Sequence, residues 1–598
     1  MRVVLVETAE DAAALPDGDL VVALTPAAEI ALERADRPFT TPAAHVSERD
    51  VLGPGRANYA KTERMCETLD ELIAAAVPLV RHEQLRPARW HYMPLKAALD
   101  GVWLRSVELR NLLTRVAATE VVFARPDAAE PTDIVDERAS IYASVLDVLL
   151  PALGIAAYAV PVRRTPPPSA GAPVGTSRLR SAIANRVRRL RARPPRSRGL
   201  RILCADRLYG IPPIAGELRR QGHEVRYYER GDGAQPSLPA AELLEAFEAS
   251  AELRRELVWD DVDWWPALAP RLRALVEHGL PQALGEYAAA RDAVDALAPD
   301  ALLTSMAALA PQKAVCAAAR RAGVPTIVSR HGEVGTRDSP MPAYQDVDAV
   351  DWALCWGSWE AAWVERHAGS KTQTVVVGSP YVEQSTARAP ARAAIRRRLA
   401  VAPESRCALY VPTALAGNWW YEGRHVPLDR DYIRQGGEII DTLLASELDD
   451  VLVKELPTDG PSPLEARSRP SRPGPRLRFI GAPPFSGLIH LANAVVLDAP
   501  STALVQALFG SARIYIVDYP LYQWEPGVAE HLTSCGVVLC PAEALGDRLA
   551  EDRVRGIIDH PFEYPAHARD PLASTGEQPA AARAAAAIVG IAARGARG

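Results

Sequence analysis

The sequence predicts an α/β fold made of doubly wound parallel sheets, and three observations carry that prediction. The run Leu200 to Tyr228 is a strand, a helix closed by Gly222, and a second strand, which is the opening of a βαβ unit. Short apolar runs such as Val324 to Ser329 and Val350 to Trp356 stop abruptly in His, Gly or Ser, as buried strands do at their carboxyl ends. From Cys407 to Val517, similar short runs alternate with helical patterns.

A chain of 598 residues exceeds one core, and typical domain sizes imply about three or four domains. With 48% hydrophobic and 24% charged residues, the chain is globular. Its net charge of −6 is too mild to suggest a nucleic-acid partner. The seven cysteines are scattered without a CxxC pair, so they read as small core hydrophobes in a reducing cytoplasm. Arg2 to Val6 reads as a first strand rather than a signal peptide. The longest apolar stretch, Val145 to Val160, is broken by Asp147, Pro151 and Gly154 and is too short to span a bilayer. A soluble protein is expected.

Residues 1–165 form a small α/β unit of unread role, with strands at Val3–Val6 and Leu20–Leu24 and helices near Tyr59–Ala76 and Leu95–Ala117. Residues 166–198 are a Pro- and Arg-rich linker. Nine arginines lie from Arg178 to Arg198, with Leu179, Ile183, Val187 and Leu190 at helical spacing. This basic amphipathic pattern suits either an anionic membrane surface or packing on a neighbouring domain. Residues 199–385 contain strands near 200–205, 223–228, 299–304, 326–329, 350–356 and 374–377. Residues 386–598 contain strands at Cys407–Val411, Val451–Lys454, Phe479–Ile480, Ala494–Leu497 and Ile514–Val517. Helices are expected at Tyr432–Leu444, Phe485–Leu491 and Ala503–Phe509, and the alanine-rich tail from Gln578 to Arg594 is a helix able to cross back onto the preceding domain.

Candidate chemistry gathers at strand ends, where open α/β sheets place ligands. His331, Gly332 and Glu333 follow one strand, putting an imidazole, a bare backbone and a carboxylate together. Thr413, Gly417 and Asn418 make a small-residue loop suited to a pyrophosphate or to a plain turn. Ser501 and Thr502 open a helix, either as simple caps or as donors to a phosphate. Lys454 ends a strand and can neutralise a leaving diphosphate or lie at the surface. Trp419, Trp420 and Tyr421 can stack on a ligand or join a core, and the lone His425 and His490 read as structural.

Two consecutive doubly wound domains, with His331-Gly332, Lys454-Glu455-Leu456-Pro457 and Asp498-Ala499-Pro500-Ser501-Thr502 in that order, resemble GT-B glycosyltransferases. The motifs look most like the capsule, teichoic-acid and surface-polysaccharide branch, over roughly residues 199–560. The match is partial: Leu456 replaces a histidine, and Gln506 stands where many such enzymes carry a glutamate. The resemblance implies transfer of a sugar from a nucleotide-activated donor to a glycan or lipid-linked acceptor. His331 and Glu333 would be catalytic, supported by Arg330 and Asp338 nearby, and Thr413, Gly417, Asn418, Lys454, Ser501, Thr502 and Gln506 would bind donor. No resident cofactor or metal is expected, and cytoplasmic placement, peripheral at the inner face of the plasma membrane, follows. A non-hydrolysing sugar-nucleotide 2-epimerase and a catalytically silent nucleotide- or glycan-binding scaffold are the alternatives.

Overall fold

The computed structural model describes residues 1–46, 48–126, 131–136, 139–164, 199–229, 235–332, 335–368, 371–413, 429–456, 464–466, 468, 476–519 and 523–595. The basic stretch Arg178–Arg198 therefore lies outside the described residues.

Three parallel sheets follow one another. The first joins β1 (Arg2–Val6), β2 (Leu20–Ala23), β3 (Glu120–Pro126) and β4 (Ala156–Val162) in the order β2-β1-β3-β4. The apolar stretch beyond residue 140 splits at Gly154, whose φ of +67° ends the helix Ile141–Leu153 and lets β4 begin.

The second sheet contains β5 (Arg201–Cys204), β6 (Glu224–Tyr227), β9 (Ala301–Thr304), β10 (Thr326–Ser329), β11 (Trp352–Cys355) and β12 (Gln373–Val376). Its order is β12-β11-β10-β9-β5-β6; a small antiparallel hairpin, β7 (Val258–Trp259) with β8 (Val262–Asp263), sits among the intervening helices. Every residue of β9 and β10 is buried, the terminal Thr304, Thr326 and Ser329 included, because helices cover both faces.

The third sheet contains β13 (Cys407–Val411), β14 (Asp450–Val453), β15 (Leu477–Phe479), β16 (Ala494–Leu497), β17 (Arg513–Val517) and β18 (Val538–Cys540), in the order β15-β14-β13-β16-β17-β18. All pairings in both six-stranded sheets are parallel. The protein is thus α/β, with two doubly wound Rossmann-like sheets preceded by a smaller α/β unit.

The strand order reverses between β5 and β9 in one sheet and between β13 and β16 in the other. Connections from the two strands at such a point leave to opposite faces, so a crevice opens beyond their carboxyl ends. Several expected elements are trimmed. Phe485–Gly487 is a single 3-10 turn rather than a helix to Leu491, and the helix expected at Ala503–Phe509 runs Thr502–Ala507.

Other parts of the chain tie the sheets together. The tail helix Ala580–Gly595 crosses back, and its Ala584, Ala585, Ile588, Ile591 and Ala592 pack on Ile202, Ile211 and Ile214 of the second sheet's unit. The N-terminal helices Glu48–Ala76 and Tyr92–Arg115 share one apolar core with the helices of residues 240–297. Glu108 of the second of these is ion-paired with Arg430, on the helix Asp429–Ala445 that accompanies the third sheet; both are buried. All seven cysteines are buried free thiols. Among the described residues, no helix is long and apolar enough to cross a membrane.

Candidate functional site

Residues singled out from the sequence stand at the reversal point of the third sheet and beside that of the second. In the third sheet's unit, Asp498 follows β16 and Thr413 follows β13. The Thr413 backbone N–H and its hydroxyl both donate to Asp498 Oδ1, each at 2.7 Å, while Tyr410 Oη donates to Oδ2 at 2.8 Å. Burial raises the Asp498 carboxyl above its usual range, and these hydrogen bonds pull it partly back. Asp498 is buried, so it fastens Thr413 at the end of β13 rather than meeting a ligand itself.

Beyond Asp498 the chain turns into a six-residue helix. Ser501 is its N-cap, with its hydroxyl accepting from Ala503 N–H at 3.3 Å. So short a helix has a weak dipole, and the capping role expected of Ser501 is the one its hydroxyl performs. Thr502, half-buried, begins the helix proper.

In the second sheet's unit, His331 follows β10, next to the reversal at β9. Its Nδ1 lies 3.4 Å from Ser305 O, on the loop beyond β9. Tyr209, on the loop beyond β5, stacks on the imidazole with centroids 4.1 Å apart and planes at 5°. Tyr381 meets Tyr209 edge-on at 5.7 Å. Tyr209 holds an unusual φ of +47°, a conformation costly for a bulky residue and tolerated where surrounding structure enforces it.

Arg330, the residue before His331, is fully buried. It faces Asp346 and Glu360 at 3.5 and 3.3 Å, and its carbonyl accepts from Trp356 Nε1 at 3.0 Å. Burial pushes the Glu360 carboxyl up to about 7 against the pull of Arg330. This network fixes the backbone that carries His331.

The two units meet at these loops. Gly332 has φ +66°, and a Cβ placed there would lie 2.9 Å from Thr502 Oγ1. Thr336 Oγ1 donates to Pro500 O at 3.2 Å. Further along, Asp338 N–H donates to Gln523 O at 2.8 Å and Glu525 N–H to Thr336 O at 3.0 Å. The close approach needs a residue without a side chain at 332.

Lys454 and Gln506, also expected to bind donor, have polar groups engaged within the protein. Lys454 is buried, and its amine donates to Glu455 O at 2.6 Å and Gly481 O at 3.1 Å, fastening the ends of β14 and β15; burial lowers its pKa. Gln506 is buried and donates to Ser385 Oγ at 3.4 Å, on the helix Pro380–Ala387 that links the two six-stranded units. Glu333, Gly417, Asn418, Trp419, Trp420, Tyr421 and His425 lie outside the described residues. Tyr209, Tyr381 and Ser305 escaped sequence reasoning. The available signal was their place just beyond β5, β12 and β9, which the strand-end rule would have flagged.

No protein-family profile matches this chain, and no curated protein matches it. Among solved structures it is similar to the UDP-GlcNAc 2-epimerase of Methanocaldococcus jannaschii, at 11% identity and TM-score 0.42, over 65% of this chain and 99% of that one. The UDP-GlcNAc 2-epimerase of Neisseria meningitidis bound to UDP-GlcNAc matches at 11% identity and TM-score 0.40, over 66% and 99%. The glycosyltransferase SnogD of Streptomyces nogalater matches at 14% identity and TM-score 0.33, over 66% and 100%. At such identity and overlap the fold rests on the strand order described above, and the chemistry on the residues where the two sheets' loops meet.

Proposed function

We propose that the chain is a glycosyltransferase that moves a sugar from a nucleotide-activated donor to a surface polysaccharide or glycoconjugate. The observation that carries this reading is the abutment of Gly332 on Thr502, which brings the strand-end loops of both doubly wound units to one crevice. A two-substrate transfer needs such a place, with each substrate held by its own unit. The donor would lie against Thr413 and Thr502, and the acceptor toward His331 and Tyr209.

In this reading His331 is the general base. Ser305 O can only accept, so His331 Nδ1 carries the proton and Nε2 keeps a lone pair for the acceptor hydroxyl. Tyr209 limits the imidazole's rotation. The cytoplasmic, membrane-peripheral placement expected from Arg178–Arg198 belongs to the same proposal; flotation with anionic vesicles, lost when those arginines are neutralised, tests it.

A second reading, a silent nucleotide-binding scaffold, is favoured by Lys454, whose amine is committed to two carbonyls. The first experiment is a thermal-shift screen of the full chain with UDP, CMP, GDP and CDP, on wild type, Thr502→Ala and Thr413→Val. A ligand that binds the native state alone raises the melting temperature by mass action. One nucleotide should do so, with a smaller shift in both variants; no shift from any of the four overturns the donor site. Turnover of the matching sugar nucleotide then decides among readings. Transfer or donor hydrolysis supports the transferase, interconversion without acceptor assigns an epimerase, and inertness leaves the scaffold.

A further inference from the structure

The crevice loops lead to a second cluster that the nucleotide-sugar reading does not use. Asp338 lies on the loop beyond β10, His367 on the last turn of the helix Ser358–Ala368, and Glu525 on the loop beyond β17. Each offers one ligand atom, and these atoms all lie within 4.8 Å of one another. Two come from the second sheet's unit and one from the third's. The backbones around them are clasped: Arg337 and Trp524 form an antiparallel bridge, flanked by the Asp338–Gln523 and Glu525–Thr336 hydrogen bonds.

We propose that Asp338, His367 and Glu525 form a site for a divalent transition-metal ion, zinc in the first instance, that pins the two doubly wound units together. His367 Nε2 and Glu525 Oε1 stand 3.6 Å apart. That is too long for a good hydrogen bond. Two ligands each about 2.0–2.1 Å from a tetrahedral ion lie roughly 3.4 Å apart, so the spacing suits a shared cation. One imidazole with two carboxylates favours zinc over magnesium or calcium, which prefer all-oxygen shells. A water completes four-coordination.

The surroundings also set a competitor. Arg366 donates to Glu525 Oε2, leaving Oε1 as the oxygen toward His367. The Trp363 ring flanks His367 at 4.8 Å and limits where its imidazole can go. Glu525 is only 4% exposed, so a cation there is shielded from water on the side of the third sheet's unit. The guanidinium and the ion share one carboxylate; removing the guanidinium should strengthen the metal.

The test uses the full chain, stripped with chelator, titrated with Zn2+ by calorimetry and with Co2+ by visible absorption. Wild type should bind one Zn2+ and develop the absorption of a four-coordinate cobalt ion. His367→Gln and Asp338→Asn should each abolish the cobalt band and weaken Zn2+ by at least about tenfold. Arg366→Gln should tighten it, and Zn2+ should raise the melting temperature of wild type but not of the ligand variants. Asp338 is half-buried at the surface, so its amide variant keeps the test open if the histidine variant folds poorly. No stoichiometric Zn2+ binding in wild type, or equal binding in wild type and both ligand variants, overturns the proposal. The nucleotide screen reads Thr413 and Thr502, neither of which belongs to this cluster, so either test can fail without the other.

Discussion

His331 owes its proposed role to its neighbours. The Ser305 carbonyl selects the tautomer, and the Tyr209 ring holds the plane. Replacing His331 by Gln should lower transfer by about 10²–10⁴-fold, measured as kcat with saturating donor. Tyr209→Ala should cost about tenfold or more by loosening the ring, whereas Tyr209→Phe should retain most activity. A stack that mattered only for folding would leave kcat of the folded fraction unchanged in both. The buried Glu360 predicts a pH dependence of stability. Its folded pKa is raised to about 7 from an ordinary 4.5, so between those values the folded chain holds more protons than the unfolded one. Its contribution is present below the unfolded value and is lost as pH rises through the folded one. Melting temperatures from about pH 5 to 8 should therefore fall in wild type, with Arg330 and Asp346 unchanged, and fall less in Glu360→Gln. Equal slopes in the two proteins would remove Glu360 as the cause.

Among the elements, the loop carrying Gly332 is the most constrained. A Cβ there meets Thr502, and φ +66° is left-handed. Gly332→Ala should destabilise by about 1–2 kcal/mol through the backbone alone. It should also weaken the thermal shift produced by nucleotide, because Thr502 must move. Strands were the most legible elements. Thr326–Ser329, Cys407–Val411 and Ala494–Leu497 emerge nearly as expected, since a strand covered on both faces reads as a largely apolar run. Helix ends were less legible. Ser501 reads equally as a cap or a phosphate donor in sequence, and only the distance to Ala503 N–H shows the capping bond. Lys454 likewise reads as a free cation at a strand end until the carbonyls of Glu455 and Gly481 are placed around it.

At the scale of the molecule, the N-terminal unit bridges both six-stranded units, through a shared core on one side and the Glu108–Arg430 pair on the other. Removing one partner of a buried pair leaves a lone buried charge, at about 3–5 kcal/mol. Glu108→Ala should lower the first melting transition accordingly, and Glu108→Leu with Arg430→Leu should recover much of the loss; an unchanged transition in Glu108→Ala would mean the pair does not bear on domain contact. The tail helix is a second bridge, and ending the chain before Ala580 should remove Ile588 and Ile591 and uncover Ile211 and Ile214, lowering the melting temperature by the loss of burial worth about 1.5–3 kcal/mol per apolar side chain. The sequence by itself determined the fold class, the strand ends and which polar residues stand there, because periodicity and turn residues are local properties. Tertiary structure alone decided which of these residues meet. Tyr209 on His331, Gly332 on Thr502, and Asp338 with His367 and Glu525 are joined across long stretches of chain, and no local pattern encodes the strand order and domain contact that bring them together.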